Sequence, residues 1–385
     1  MNRKKRILVV SEPYIIKGKG TTNNALNTIL EYYTNYFGEV HCLAPSSENY
    51  NKFESNGVFY HSITGYEKRI IKRLYFILDK KTRFYQLDSI VNTIKPDIIQ
   101  IRIPSVFSQV ILNSLKRFKI PITSYIAGEW DEALKLNYSH VPLIGILSKL
   151  LFKSQNLIVR STVPVCTGDK LAERFKSVNP LIHAYYSTTH TSIHRTDEKL
   201  KQESKFNLLT IGRLEKLKRV DDVIKAMSIL IKKDYRYNLS ILGDGNQKEN
   251  LMNLVENLGL SKHVKFHGHI SGRDNLDILF KDHDILVHPS LTEGTSKVLP
   301  EAMSYGLIPI AVDNVGSNNN IIERGSGFLV EPKSPNKIAK TVLDINSMEI
   351  NLLREELEKG YNYAKKHTIN KELDKMWLFV FNSCF

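Results

Sequence analysis

Cysteine is scarce. The chain of 385 residues holds three, Cys42, Cys166 and Cys384, scattered and without CxxC spacing. They form neither a disulfide framework nor a zinc site, and they suit a reducing compartment. Long apolar runs are missing as well: no stretch approaches the roughly 18 residues that a membrane-crossing helix needs. The basic opening Met1–Arg6 resembles the start of a signal peptide, but its apolar run Ile7–Val10 is short and meets Glu12 and Pro13. It is expected to be a first β-strand, and the protein to stay on the cytoplasmic side of any nearby membrane. No GxGxxG follows a strand candidate, which disfavours a dinucleotide-dependent oxidoreductase. Zinc-finger, homeodomain and RNP-type patterns are absent too, so no nucleic-acid partner is expected despite a pI near 9.4. Solenoid-period repeats and low-complexity tracts are lacking.

What is present is enough for packed cores: 42% of residues are hydrophobic, and the length exceeds what one core usually supports, so two domains are expected. The formal net charge is +14, and it is lopsided. Residues 1–200 hold 28 Lys and Arg against 16 Asp and Glu, an excess of 12; residues 201–385 hold 26 against 24, an excess of 2. An anionic partner for the first half fits that footprint: a lipid surface, a phosphorylated acceptor or nucleic acid. A merely basic, solvated surface fits it as well.

Short β-branched runs alternate with helical stretches, the pattern of parallel sheets covered on both faces. Strand candidates in the first half are Arg6–Val10, Glu39–Leu43, Val58–Ser62, Asp97–Ile101, Pro121–Ile126, Asn156–Val159 and Val163–Thr167. The second half restarts with Phe206–Ile211, Tyr237–Leu242, Val264–His267, Asp284–Pro289, Ile308–Val312 and Gly327–Val330, separated by helix-like segments such as Val220–Lys232, Gln247–Leu258 and Asn275–Phe280. The stretch Asn179–Lys205 lacks periodicity and reads as an interdomain connection. The expected division is 1–187, 188–365 and a terminal helix 366–385, whose Leu373, Met376, Trp377, Phe379 and Phe381 must dock on something. Ligands of open parallel sheets bind beyond the carboxyl ends of the strands, so functional motifs belong on strand-to-helix turns.

Three motifs lie on such turns. Glu293-Gly-Thr-Ser-Lys-Val-Leu-Pro-Glu301 follows a strand ending His288-Pro289-Ser290 and leads into a helix. Gly294 permits close approach of the backbone, and free N–H groups at the helix start suit a diphosphate. Two glutamates so placed are also common as solvated, dipole-favouring residues. Gly212-Arg213-Leu-Glu-Lys-Leu-Lys218-Arg219 offers a planar fork and a mobile point charge for phosphate oxygens, or simply a basic loop. Ile241-Leu-Gly-Asp-Gly245 is a strand ending in a tight glycine turn. The loop His267-Gly-His-Ile-Ser271, with His269 and Ile270, lies where backbone groups can read a base, while the side chains of His267 and His269 read as ordinary loop residues.

In that order and near that spacing, the residues about Phe206–Pro332 resemble the donor domain of glycosyltransferase family 4. The resemblance implies an α/β GT-B architecture: two Rossmann-like, doubly wound parallel-sheet domains facing across a cleft. It implies a retaining hexosyltransferase that uses a nucleotide diphosphate sugar and serves cell-surface polysaccharide biosynthesis. Arg213 and Lys218 would grip the diphosphate, together with the amides of Gly294, Thr295, Ser296, Lys297 and Val298. Glu293 would lie at the donor sugar, and Glu301, with His269 and Ile270, at the nucleoside. The first half resembles the family only in layout; there Gly20, in Lys17-Gly-Lys-Gly-Thr-Thr22, matches a glycine loop that meets the donor phosphates. The terminal helix would pack back on the first domain.

One position departs from the family. Ala127 stands where relatives often carry a histidine near the reacting sugar, which suggests that Glu129 or Asp131 positions the acceptor. The acceptor hydroxyl would attack from the leaving group's own face, with charge stabilisation and orientation doing the catalysis. No cofactor is expected, and no metal: Asp282 and Asp284 form a DxD-like pair, but Asp284 begins a strand and the basic side chains already supply positive charge. The acceptor is expected to be a glycan or a polyprenyl-linked molecule. The basic amphipathic segment 68–83 and the patch Val141–Phe152 are either core-packed helices or a peripheral contact with an anionic membrane. A GT-B-fold nucleotide-sugar epimerase is the nearest competing class; a binding protein without activity is disfavoured, since Arg213, Lys218, Glu293 and Glu301 are all there.

Overall fold

The computed structural model describes residues 5–46, 52–66, 75–128, 131, 144–195, 207–233, 236–270 and 273–385. The chain divides into two compact units, residues 1–167, 171–185 and 374–385 in the first and 168–170 and 186–373 in the second.

The first unit is built on an eight-stranded sheet. In chain order its strands are β1 (Arg6–Val10), β4 (Glu39–Pro45), β5 (Lys52–Ser55), β6 (Val58–Ile63), β7 (Ile98–Ile103), β8 (Ile122–Ile126), β9 (Val163–Thr167) and β10 (His183–Tyr185); the pair β2 (Ile15–Ile16) and β3 (Gly20–Thr21) forms a separate ribbon. The spatial order is β10-β9-β8-β7-β1-β4-β6-β5, parallel apart from the edge strand β5. Such strands are covered on both faces, which is why Ile7, Leu8, Val9 and Val10 form an unbroken, fully buried run. The order reverses between β1 and β7, so the Gly20 loop follows the strand at the reversal.

The crossover helices begin where the sequence offers caps. Asn23 accepts from Leu26 N at 3.1 Å ahead of α1 (Asn24–Tyr33), and Asp79 accepts from Thr82 N at 3.1 Å ahead of α2 (Lys80–Ile94). Ser105 accepts from Ser108 N at 2.9 Å ahead of α3 (Val106–Leu115). Two more helices, α4 (Ile144–Arg160) and α5 (Asp169–Lys176), flank β9.

Two expectations fail in this unit. Asn156–Val159 is the last part of α4 and not a strand. Its Leu-Ile-Val run carries β propensity, but Ser148, Gln155 and Val159 are all buried at helical spacing, and packing of that face overrides the local preference. The presumed connection Asn179–Lys205 starts with ordered structure: His183–Tyr185 adds an edge strand in parallel register with Val165–Thr167. Residues 196–205 lie outside the described residues. A last helix, α13 (Ile369–Cys384), contributes Asp374–Phe385 to this unit. Trp377, 1% exposed, meets Tyr33 and Phe37 edge-on at 4.9 and 4.8 Å between ring centroids.

The second unit has six parallel strands: β11 (Asn207–Ile211), β12 (Asn238–Leu242), β13 (Val264–Gly268), β14 (Ile285–His288), β15 (Ile308–Val312) and β16 (Phe328–Val330), in the order β13-β12-β11-β14-β15-β16. Helices α6 (Val220–Lys233), α7 (Lys248–Asn257), α8 (Arg273–Lys281), α9 (Val298–Ser304), α10 (Asn318–Arg324), α11 (Pro335–Asn346) and α12 (Ile350–Lys366) complete it. One apolar cluster holds Val223, Met227, Ile308 and Val342, another Leu209, Leu286, Met303 and Ile321. The strand order reverses between β11 and β14, and open sheets bind ligands beyond the carboxyl ends at such a point.

A buried histidine pair makes the first unit acid-sensitive. His41 Nδ1 lies 3.0 Å from His61 Nε2, and His41 Nε2 3.1 Å from Glu39. Burial, then the neighbouring His41 and Lys52, lowers His61 to about 3, and burial also lowers His41 despite Glu39. An unfolded histidine titrates near 6.5. The folded state therefore refuses a proton that the unfolded chain accepts, so the stability present above about pH 6.5 is lost as pH falls toward 3, by up to ~1.4 kcal/mol per pH unit for each proton. Denaturant titrations between pH 7 and 4 should show a shallower acid slope for His61→Gln than for the wild type.

Candidate functional site

The loops at the reversal of the second sheet bring the sequence motifs together. After β11, Gly212 N donates to Leu242 O at 3.0 Å and Leu214 N to Asp244 O at 2.9 Å, while Gln247 N returns to Leu214 O at 2.9 Å. This ladder presses the Gly212–Arg219 loop against the Gly243–Gly245 turn. Gly243 has φ +135, and a Cβ there would lie 1.9 Å from Gly212 O; only glycine permits so close an approach.

The loop then tightens into a 3-10 turn, Lys216–Lys218, that ends at Arg219 in the left-handed region, φ 52. Arg219 is occupied structurally, at 2.6 Å from Asp222 and 3.1 Å from Asp221. Leu291 N donates to Leu217 O at 2.9 Å, tying this turn to the loop that follows β14.

Across that tie, Lys218 Nζ meets Glu293 Oε1 at 2.5 Å and Thr292 O at 3.5 Å. His288, the last residue of β14 and 6% exposed, brings Nε2 to 3.2 Å from the same carboxylate oxygen. The approach is off the direction of a good hydrogen bond, so it is a close polar contact. Burial works to raise the Glu293 carboxyl, but His288 and then Lys218 outweigh it and hold the group at about 2. Glu293 is therefore a largely covered carboxylate, 16% exposed in its side chain, that stays charged.

The loop beyond it is pinned from α10. Ser317 N donates to Gly294 O at 3.1 Å. Ser296 Oγ donates to Asn318 Oδ1 at 2.6 Å, and Asn318 Nδ2 to Val312 O at 2.9 Å. Thr295 Oγ1 is buried with no hydrogen-bond partner. Lys297 and Val298 are half-buried where α9 begins. One turn into α9, Glu301 Oε1 accepts from Thr189 Oγ1 at 2.8 Å. Arg213 lies outward: its side chain is 75% exposed, with Nη1 2.7 Å from Glu215. The His267–Ile270 loop is fastened by Gly243 N donating to Gly268 O at 2.8 Å and by a 3.1 Å contact of His267 Nε2 with Ser240 Oγ. His269 is exposed, and Ile270 packs on the sheet's second apolar cluster.

Three of the expected residues belong to the other unit. Gly20, φ +93, pairs with Ile16 in the β2–β3 ribbon. Asp131 is 4% exposed and accepts from Arg174 Nη2 at 2.6 Å. Glu129 lies outside the described residues. Of the DxD-like pair, Asp284 has structural work: its Oδ2 accepts from Asn207 N at 2.8 Å, while Asp282 offers its backbone carbonyl to Asn207 Nδ2 at 3.2 Å, at the end of β14 opposite His288.

Two participants escape sequence reasoning. His288 reads as the end of an apolar strand, and only its position at a carboxyl end hints at a role. Thr189 falls in a stretch with no periodicity at all.

Comparison with known proteins bears on the fold and the class of activity. Residues 193–367 match the family model described as glycosyl transferases group 1. An uncharacterised glycosyltransferase of Haemophilus influenzae is 26% identical over 301 residues, 72% of this chain and 80% of that protein. A poly(ribitol-phosphate) α-N-acetylglucosaminyltransferase of Staphylococcus aureus is 25% identical over 174 residues, 45% of this chain and 34% of that protein. Among solved structures, Anabaena Alr3699/HepE in complex with UDP and glucose has a TM-score of 0.69 at 14% identity, covering 98% of this chain and 100% of that one. Together these likenesses support a glycosyltransferase, and the fold is GT-B.

The backbone ladder yields a stability prediction. Gly243→Ala should lower the unfolding free energy by at least ~1–3 kcal/mol, the usual cost of forcing extra volume into a packed site, read as a lower denaturant midpoint at unchanged slope. An unchanged midpoint would show that the two loops do not need their close contact.

Proposed function

We propose that this chain is a retaining glycosyltransferase that moves a hexose-type sugar from a nucleoside diphosphate sugar to a glycan or polyprenyl-linked acceptor. The observation that carries the reading is the Lys218–Glu293–His288 cluster at the strand-order reversal, with Arg213 and Glu301 on the same set of loops. Support for the donor class comes from the HepE complex with UDP and glucose, and for an α product from the relative that acts on poly(ribitol-phosphate). With a donor whose sugar is α-linked to the diphosphate, an α product is one of retention.

In this reading Lys218 and Arg213 neutralise the departing diphosphate, a point charge beside a planar fork. Opposite charges ~4 Å apart attract by roughly 4 kcal/mol at an effective dielectric near 20. Glu293 fixes the sugar through its hydroxyls, Glu301 holds the ribose diol, and the amides of Gly294–Val298 meet phosphate oxygens. Asp131, occupied by Arg174, supports the acceptor side from within. The acceptor hydroxyl attacks on the face the diphosphate leaves, and a diphosphate oxygen takes its proton. Every contact named is an orienting or charge-stabilising one, and we propose that turnover needs no metal.

Lys218→Ala should lower kcat/KM by roughly 10²–10³-fold with the melting temperature retained. UDP, GDP, ADP and their sugar conjugates should be screened first by thermal shift, since a ligand at 100 times its Kd stabilises by about 2.7 kcal/mol. Absence of any shift, or an epimerised sugar nucleotide on incubation with donor alone, would overturn the transferase reading.

We also propose a peripheral contact with anionic lipid. Lys68–Leu74 of the segment 68–83 lie outside the described residues, but α4 offers a second surface. Ile146, Leu150 and Leu157 are 58%, 60% and 59% exposed. At 100° per residue they share one ~100° arc with Lys149, Lys153 and Arg160, and the helix has no acidic residue. Apolar and basic groups on one face suit a membrane interface, and no helix among the described residues is long and apolar enough to cross one. Vesicles containing phosphatidylglycerol should float the wild type and lose a variant with Lys149, Lys153 and Arg160 changed to Gln; equal flotation would reject the contact.

A further inference from the structure

The expected diphosphate ligand Lys218 is already engaged, with its ammonium on Glu293 Oε1 at 2.5 Å. His288 Nε2 lies 3.2 Å from the same oxygen. The two partners differ in reach. Lys218 sits at the end of a 3-10 turn on a flexible four-carbon stem and can swing between acceptors. His288 has a short side chain on the last residue of β14, parallel-paired with Ala311 of β15, and it is 6% exposed. It cannot follow. A dianionic group arriving beside the turn competes for Lys218 and draws its charge from Glu293. A buried carboxylate that loses its only other partner becomes costly to keep ionised, and here one neighbour stays.

We infer that His288 is a positioning residue: it holds Glu293 charged and oriented while Lys218 turns to the diphosphate of the donor. This rests on the reading given under "Proposed function". The exchange gives the site an order. Without donor, Lys218 and Glu293 satisfy one another. With donor, Lys218 follows the phosphates, and the Glu293 carboxylate, kept in place by the imidazole, is released to accept from sugar hydroxyls. No covalent step is involved.

The experiment uses His288→Leu, His288→Gln and Lys218→Ala in the full chain. Calorimetry with UDP, GDP and ADP reads diphosphate affinity, and hydrolysis of the cognate nucleotide sugar reads turnover. For His288→Leu we expect nucleoside diphosphate affinity within about twofold of wild type but kcat lower by roughly 10- to 100-fold, the worth of one contact to a charged group. The acid limb of kcat should move to higher pH, because Glu293 then titrates nearer the ordinary carboxylate range. His288→Gln, whose amide reaches the position of Nε2, should recover most of kcat and return the limb. A merely structural role would lower the melting temperature and the affinity together, without moving the limb and without rescue. That outcome, or unchanged kcat in His288→Leu, overturns the inference. If Lys218→Ala binds nucleoside diphosphates as tightly as wild type, the donor-site reading itself falls; if only the His288 variants behave as wild type, that reading stands and this inference fails.

Discussion

A carboxylate removed from water must be surrounded by groups that keep it charged, and Glu293 imposes that constraint on the second unit. Burial alone would favour its protonated form, and the opposing influence of His288 and Lys218 prevails. Each of those residues in turn needs a fixed backbone. His288 takes its position from the end of β14, and Lys218 from a turn that Leu291 N fastens to the neighbouring loop. The interaction that fits the site for chemistry is thus also the one that joins the loops after β11 and β14.

The sheet explains why those loops meet. Chain order runs outward from β11 to β13 and then returns to β14 on the other side, so the turns after β11 and β14 diverge from adjacent strands and leave a crevice between them. Glycine completes the arrangement, because the Gly243 turn touches the Gly212 backbone with no room for a side chain. Charge is spent selectively there. Arg219 is used up on Asp221 and Asp222, while Arg213, paired among the described residues with Glu215 of its own loop and 75% exposed in its side chain, stays accessible.

The first unit follows a different economy. Its central strand β1 is apolar and fully buried from Ile7 to Val10, while Gln100, His41 and His61 are polar groups buried on nearby strands. On α4 the basic residues alternate with exposed leucine and isoleucine instead of acidic partners, whereas in the second unit basic residues such as Lys225 and Lys248 find carboxylates one turn away. The two halves differ in what their surfaces leave unneutralised, in keeping with the division of charge along the sequence.

The amino-acid sequence by itself determined the class of fold and the motif residues that meet at the reversal of the second sheet. Both depend on local rules: apolar runs of strand length, turn glycines, and charged residues at strand-to-helix turns can be read without knowing what they touch. Tertiary structure decided the rest. Asn156–Val159 has the composition of a strand and became the end of α4 because its neighbours bury one helical face. His183–Tyr185 became a strand because β9 offered an open edge. Asp131 could be named from sequence, but not its ion pair with Arg174, which is 43 residues away. Lys218 and Glu293, 75 residues apart, were each legible; that Lys218 and His288 approach one oxygen of Glu293 was not. Such contacts are set by which strands lie side by side, and strand order is fixed by the packing of the whole sheet.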